Sequence, residues 1–337
     1  MTRAVTGLGR ERWLVTGGAG FIGFHVSREL LARGIEVVIL DDFSDAPYPR
    51  EEKRRNVRDL ETLGAPLRVV EGCITDEVAV RGAMEGAARV VHLAGLAGVR
   101  PSFLAPARYA RVNVEGTAVV LEAARTLGVE RVVFASSSSV YGNSTPLPAH
   151  EDAACVVPES PYAASKRGAE LVASALLKQA PSLRCAALRF FTVYGPRQRP
   201  EMAITLFARA ALAGRAVPRF GDGSMRRDFT HVSDIVRGIL AASDLAPPGF
   251  RTYNLGSGRP VSLTELVTAL EQATGKPLAI EALPPQLGDV EATFADISRA
   301  GAELDWEPRV ALDEGLRTVV EWVGQDRSEG RWRHPSR

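Results

Sequence analysis

An α/β fold, built as a doubly wound parallel sheet with a smaller C-terminal lobe, is predicted for this 337-residue chain by three observations. Short apolar strands alternate with helical patterns as far as Arg189, which is the signature of strand–helix–strand units. A glycine-rich turn joins the first strand to the first helix. After Arg189 the texture changes, and Gly195-Pro196, Pro200, Pro218, Gly221-Asp222-Gly223 and Pro247-Pro248-Gly249 punctuate shorter elements.

Trp13–Thr16 is the first strand, short and apolar. In the helix after it, Val26, Leu30 and Leu31 share one face, and Gly34 ends it. Glu36–Leu40 is a second buried strand that runs into Asp41-Asp42. Leu67–Val70, Arg89–Leu93, Arg131–Phe134 and Cys185–Arg189 repeat the theme, with helices between them over Val112–Leu127 and Ala163–Lys178. The final residues, 326–337, are polar and read as a tail.

Composition removes several classes. The chain carries 41 Lys+Arg against 40 Asp+Glu, so no net field draws it to nucleic acid or an anionic membrane. No run of 18 apolar residues offers a membrane span, and residues 1–11 lack the apolar stretch of a signal peptide. Cys73, Cys155 and Cys185 are too few and too scattered for a disulfide framework or a zinc site. The five histidines show no ligand spacing, so no metal is expected. No Gly-x-Ser-x-Gly elbow points to a hydrolase. A cytoplasmic globular protein is the expectation.

Gly18-x-Gly20-x-x-Gly23 fits a dinucleotide-binding turn. Its glycines permit a tight turn, close approach of a pyrophosphate, and close helix–strand packing, while the helix start offers free N–H groups to phosphate. Alone the pattern is weak, because glycine-rich turns are common. Here it follows a strand and opens a helix. Asp41 stands 18 residues past Gly23, at the end of the next strand, where a carboxylate accepts from ribose hydroxyls. That carboxylate also repels a 2′-phosphate, so NAD is favoured over NADP. The predicted organisation is therefore a Rossmann domain over 11–189 with a returning segment near 231–256, and a second lobe from 190–230 and 257–325.

Tyr162 and Lys166, four residues apart, face the same side of a helix. A nearby ammonium, with a nicotinamide cation beside it, favours the phenolate and lowers the tyrosine from about 10, giving a base near neutral pH. A solvated helix face is the plainer reading of the same pair. Ser136–Ser139 follow the strand ending at Phe134, at the carboxyl edge of the sheet where ligands bind.

Gly17-x-x-Gly20-x-x-Gly23, His92-Leu93-Ala94-Gly95, Asn113-x-x-Gly116-Thr117, Ser136–Gly142 and Tyr162-x-x-x-Lys166 occur in the order typical of extended short-chain dehydrogenase/reductases. Within them the chain resembles the nucleotide-sugar epimerases and dehydratases, over roughly residues 12–325. The resemblance implies bound NAD, held by Gly17, Gly20, Phe21, Ile22, Gly23, Asp41, Asp42, Phe43, Ser44, Cys73, Ile74, Leu93, Ala94, Gly95, Asn113, Ser136, Tyr162, Lys166 and Phe190. It implies catalysis by Tyr162, Lys166 and a serine, with Ser137 at the motif position and Ser138 and Ser139 beside it. Two positions depart from the family. Cys73 stands where Asp usually meets the adenine amine, which leaves Asp76 as a nearby substitute, and Gly95 stands where alanine is commoner.

Family dehydratases carry an Asp-Glu pair where this chain has Ser138-Ser139. Asp41–Asp45 leading to Lys53–Asn56, together with Arg189–Ala203, resemble UDP-glucuronate 4-epimerases in particular. The implied activity is NAD-dependent 4-epimerisation of a UDP-sugar, most of all UDP-glucuronic to UDP-galacturonic acid, by a homodimer. A guanidinium donates two parallel hydrogen bonds to a planar carboxylate, so Arg199, with Thr192, Ser137 and Ser138, is the expected uronate site. Arg227 is expected at the diphosphate, and Gln286 and Asp289 near the nucleoside. An arginine facing phosphate fits the same residue at Arg199. A UDP-glucose or UDP-N-acetylglucosamine epimerase, a UDP-glucuronate decarboxylase, and a catalytically silent NAD sensor stay open as alternatives.

Overall fold

The computed structural model describes residues 11–45, 49–284 and 292–328. The chain runs β1 (Arg12–Thr16), α1 (Phe21–Ala32), β2 (Glu36–Asp41), α2 (Arg50–Glu61), β3 (Leu67–Glu71), α3 (Glu77–Met84) and β4 (Arg89–His92). It continues through α4 (Val99–Leu104), α5 (Pro106–Ala110), a π-helical turn at Arg111–Glu115, α6 (Gly116–Thr126), β5 (Arg131–Ser137), α7 (Pro161–Leu176) and β6 (Arg184–Phe190). These strands and a later one, β10, form one parallel seven-stranded sheet in the order β3-β2-β1-β4-β5-β6-β10. The order reverses between β1 and β4, so a crevice opens there at the carboxyl ends of the strands.

Strand alternation divides the core. Leu14, Val38, Val90 and Val132 point to the side covered by α3, α6 and α7, and Trp13, Val15, Ile39 and Val133 to the side covered by α1 and α9. All eight are buried. Near-continuous apolar strands are what a sheet covered on both faces requires.

Beyond β6 come β7 (Thr192–Tyr194), α8 (Ala203–Ala213), β8 (Val217–Phe220), β9 (Arg226–His231), α9 (Val232–Leu245) and β10 (Gly249–Leu255). They are followed by β11 (Pro260–Ser262), α10 (Leu263–Thr274), β12 (Ile280–Leu283), α11 (Ser298–Leu304) and α12 (Leu312–Ser328). β10 pairs with β6 in parallel, and α9 packs on the face already holding α1. The rest form a small three-stranded sheet, β11-β9-β7, and a two-stranded one, β12-β8, with a separate core among α8, α10 and α12. Ser262 starts α10 with a full capping box to Glu265.

A buried polar network ties these layers together below the crevice. Arg189 on β6 is fully buried and makes two parallel hydrogen bonds to Glu170 on α7, Nε–Oε1 at 2.9 Å and Nη2–Oε2 at 2.8 Å. Ser136 donates to the same carboxylate at 2.6 Å, and Arg167 at 2.8 Å. Arg189 also donates to the Glu151 carbonyl and lies 4.8 Å over the Tyr141 ring, whose hydroxyl donates to Asn254 on β10. Removing one member of such a pair strands a charge in the interior. Arg189→Met is therefore expected to destabilise the fold by about 3–5 kcal/mol, measured by urea unfolding. Pairing it with Glu170→Leu should recover much of that loss.

Candidate active site

The crevice is one continuous cleft of about 920 Å³. At its head lies the turn after β1. Gly17 has φ +69, and a Cβ there would stand 2.7 Å from the Ala94 backbone nitrogen. A Cβ at Gly23 would fall 2.1 Å from the Gly17 carbonyl oxygen. Only glycine permits this closeness of loop, helix and β4 turn. Gly20, Phe21, Ile22 and Gly23 line the cleft, and α1 begins there without any side-chain cap, leaving its N–H groups for an anion. The cradle fits a dinucleotide diphosphate.

Asp41 ends β2 inside the cleft. Its carboxylate accepts from the Phe43 N–H at 2.9 Å, from the Ala19 N–H at 3.3 Å, and from Lys53 at 3.3 Å. Burial pushes this carboxyl up, and the Lys53 ammonium pulls it back. Lys53 also reaches Asp42 and Ser44, so α2 delivers a nearly buried cation to the carboxyl end of β2. Residue spacing gave no sign of it. Asp42, Ser44, Cys73, Ile74, Leu93, Ala94 and Gly95 line the same half.

Two residues expected there engage their side chains with the protein itself. The Phe43 side chain is buried against Ala19 and Val57, away from the cleft wall, and only its backbone serves Asp41. Asn113 sits in the π turn, where its amide holds the Leu96 backbone at 2.8 and 3.0 Å and donates to Ser165 at 2.9 Å. It braces the cleft wall from behind rather than lining it. Asp76 caps α3 through the Val78 and Ala79 N–H groups, so its carboxylate is committed to the helix start. Gln286 and Asp289 lie outside the described residues.

Further along, α7 brings Tyr162 and Lys166 to the cleft beside Ser136–Ser139, which follow from β5. The Pro161 start, capped by Ser160, fixes that helix one residue before Tyr162. Lys166 donates to the Ala135 carbonyl at 2.9 Å, and burial lowers it to about 8 against the pull of Glu170. Tyr162 differs from the sequence expectation. Burial raises the phenol above its ordinary value, opposed by a hydrogen bond with Ser137 and by the charge of Arg199. Four-residue spacing sets a shared face but not an ammonium–phenol contact, and here the Lys166 ammonium is turned to the strand carbonyl. Tyr109 packs edge-on against the Tyr162 ring, centroids 6.2 Å apart. Ser136, whose hydroxyl is held by Glu170, belongs to the network underneath.

Beyond Tyr162 the cleft continues past Phe190, Thr192, Arg199 and Arg227, with Arg100 from the start of α4, which motif reading missed. A side recess of about 190 Å³ opens between Ser138, Ser139, Thr192, Glu159 and Arg227. The loop carrying Arg199 is pinned on both sides. Arg197 takes φ +66, lies 3.9 Å over Phe24 and binds Asn56 and Asp59. Gln198 is buried and holds the Val193 carbonyl and Thr205. Of the Arg-Gln-Arg run, only Arg199 is a cation of the cleft wall.

His92 is not catalytic by placement. It is sealed between Thr16, at 2.7 Å, and Thr117, at 3.1 Å. Among the described residues no cluster of His, Cys, Asp or Glu is placed to hold a metal, and no helix is long and apolar enough to cross a membrane.

A glycine turn ahead of an uncapped helix, a buried carboxylate at the end of the next strand and a Tyr/Lys/Ser group thus line one cleft of a doubly wound sheet, the arrangement of a dinucleotide-dependent enzyme. The chain belongs to the NAD dependent epimerase/dehydratase family, whose model matches residues 13–256. It is 39% identical to the UDP-glucuronate 4-epimerase of Thermodesulfobacterium geofontis, over 92% of this chain and 95% of that one. A crystal structure of UDP-glucuronic acid 4-epimerase from Bacillus cereus, in complex with UDP-glucuronic acid and NAD, superposes with a TM-score of 0.85 at 33% identity, covering 93% of this chain and 99% of that chain. A dTDP-glucose 4,6-dehydratase from Streptomyces venezuelae reaches the same TM-score and identity over 94% and 98%. Backbone shape alone does not separate these activities.

Burial holds His92 at about 3 and His25 at about 4, both below an ordinary histidine. Between those values and 6.5 the unfolded chain binds protons that the folded one refuses, so stability should fall as pH drops below 6.5. His92→Gln should flatten this decline, measured as urea midpoints from pH 7 to 4; an unchanged slope would contradict it.

Proposed function

We propose that this enzyme is a NAD-dependent UDP-sugar 4-epimerase that interconverts UDP-glucuronic acid and UDP-galacturonic acid. The observation that carries the uronate is Arg199, a guanidinium of the same cleft as Thr192 and the serines, whose charge is felt at Tyr162 and whose loop is pinned by Arg197 and Gln198. A planar carboxylate matches that fork. Relatives and solved structures bearing the same activity, similar along nearly the whole chain, support the reading.

NAD is held by the glycine turn, by Asp41 with Lys53, and by the wall from Cys73 to Gly95, and when bound it supplies reversible hydride acceptance at the sugar C4. Tyr162 takes the 4-hydroxyl proton, assisted by Ser137, and returns it to the product. The phenol needs added positive charge to act near neutral pH, because burial alone raises it. Lys166, tied to Ala135, is placed to hold the nicotinamide ribose and supply part of that charge. The 4-keto sugar turns over within the cleft, so that its planar C4 carbonyl presents the opposite face for reduction. Arg100 and Arg227 serve the diphosphate. A 4-keto uronate is a β-keto acid, and a guanidinium holding its carboxylate in the ring plane opposes the geometry that loses carbon dioxide. Dehydration has no acid–base pair to use, since Ser138 and Ser139 stand at that position.

The test is proton NMR of the purified protein with UDP-glucuronic acid and no added cofactor, repeated with NAD. UDP-galacturonic acid without pentose is the expected product. UDP-xylose or a 4-keto pentose would establish decarboxylation, and turnover of UDP-glucose alone would discard the uronate reading.

A cytoplasmic homodimer is the companion proposal. Three unpaired thiols, two of them buried, suit a reducing compartment. Leu171 on α7 is 55% exposed and Phe103 and Leu104 on α4 are 55% and 89% exposed, an apolar strip on adjoining helices that a second copy would cover. Light scattering should give twice the chain mass, and Leu171→Glu should halve it; an unchanged mass would remove α7 from the interface.

A further inference from the structure

The guanidinium proposed for the uronate already has an anionic neighbour. Glu201 lies two residues beyond Arg199 and lines the same cleft, with its Oε1 3.2 Å from Arg199 Nη1. The pair is unequal. Arg199 is mostly covered, at 19% side-chain exposure, whereas Glu201 keeps 48%. Its contact is through a single oxygen, where a well-placed carboxylate could take two hydrogen bonds from the fork. Among the described residues its Nη2 donates to the Met202 sulfur, at 3.4 Å, a weak acceptor.

Backbone keeps the two side chains together. Pro200 between them fixes φ, and the Met202 N–H donates to the Arg199 carbonyl at 3.1 Å, closing a tight turn just before α8. Gln198 anchors the near side of that turn. Arg199 therefore cannot leave Glu201 by loop drift alone. Glu201, half in solvent on a flexible stem, is the partner able to swing away.

We propose that Glu201 is a resident carboxylate that occupies Arg199 between substrates and gives way to the uronate carboxylate, so that it sets how strongly the enzyme prefers charged over neutral UDP-sugars. This rests on the reading of Arg199 above. The exchange moves no covalent bond. One carboxylate leaves the guanidinium for water and another replaces it with better geometry. Two consequences follow from charge alone. A uronate must displace Glu201 and then bind beside its negative charge, so its affinity is held below what Arg199 could otherwise provide. A neutral hexose meets a cleft whose guanidinium is already balanced, and it gains nothing from Arg199.

Glu201→Gln keeps the shape and removes the charge. Binding of UDP, UDP-glucose and UDP-glucuronic acid to the NAD-loaded enzyme would be measured by calorimetry for the parent, Glu201→Gln, Arg199→Ala and the double variant. Exposed ion pairs are weak, so Glu201→Gln should tighten UDP-glucuronic acid by about two- to five-fold and leave UDP and UDP-glucose within error. In the Arg199→Ala background the same change should give at most the small gain expected from removing a distant like charge. If Glu201→Gln weakens UDP-glucuronic acid, Glu201 orients Arg199 and the exchange is overturned. Equal tightening of all three ligands would reduce it to a general field effect and overturn it too. Arg199→Ala separates the two layers. A selective loss of UDP-glucuronic acid, with no gain from Glu201→Gln, would sink the exchange and leave the uronate site standing. Equal losses for all three ligands would remove the uronate site itself.

Discussion

The buried Arg189–Glu170 pair is the contact on which the arrangement of the site depends. It joins the last residue but one of β6 to α7, one turn beyond Lys166, and reaches Ser136 at the end of β5. Two charges inside a protein are costly unless their hydrogen bonds are complete, and here Ser136, Arg167 and the Glu151 carbonyl complete them. That completeness is what fixes the helix. If α7 shifted by a residue, Glu170 would lose its partners, and Tyr162 and Lys166 would leave the cleft with it. A purely apolar contact between α7 and the sheet would tolerate such a slide far better. The network continues through Tyr141 and Asn254, so the loop after the serines and the returning strand β10 are held in the same frame.

Above this frame the cleft divides its labour by charge. The cofactor half offers helix N–H groups and the Asp41 and Asp42 carboxylates tempered by Lys53, which suits a dinucleotide with free ribose hydroxyls. The distal half presents Arg100, Arg199 and Arg227 against Glu201, a surplus of positive charge that suits a sugar diphosphate. Between them stands Tyr162, whose phenol is raised by burial and relieved only by Ser137 and Arg199. Catalytic competence therefore depends on what the two halves bring near that ring.

The second lobe owes its position to the first. α9 and β10 run out of the small lobe, bury their apolar faces on the large sheet, and return, so the two cores share chain as well as contact. Asp326 on α12, held by Arg55 at 2.8 Å and by Arg209 at 3.4 Å, adds a charged tie between α2 and the small lobe. The Arg199 loop bridges the same divide through Arg197 on Phe24 and Asn56. The Arg199 guanidinium is consequently referenced to the large sheet domain, not only to its own lobe.

Apolar strand runs, the glycine turn and Tyr162-x-x-x-Lys166 by themselves determined the sheet, the tight turn ahead of α1 and the shared face of Tyr162 and Lys166. Each of these follows from local geometry: strand period, helix period and the space a glycine leaves. Tertiary packing decided what no short window encodes. Lys53 arrives at Asp41 because α2 packs beside α1, and the Phe43 and Asn113 side chains find partners in distant segments of the chain. The raised tyrosine is the same lesson in electrostatics. Spacing tells which groups share a helix face, whereas a pKa is set by burial and by charges from every element around the ring, and those are fixed only when the chain has folded.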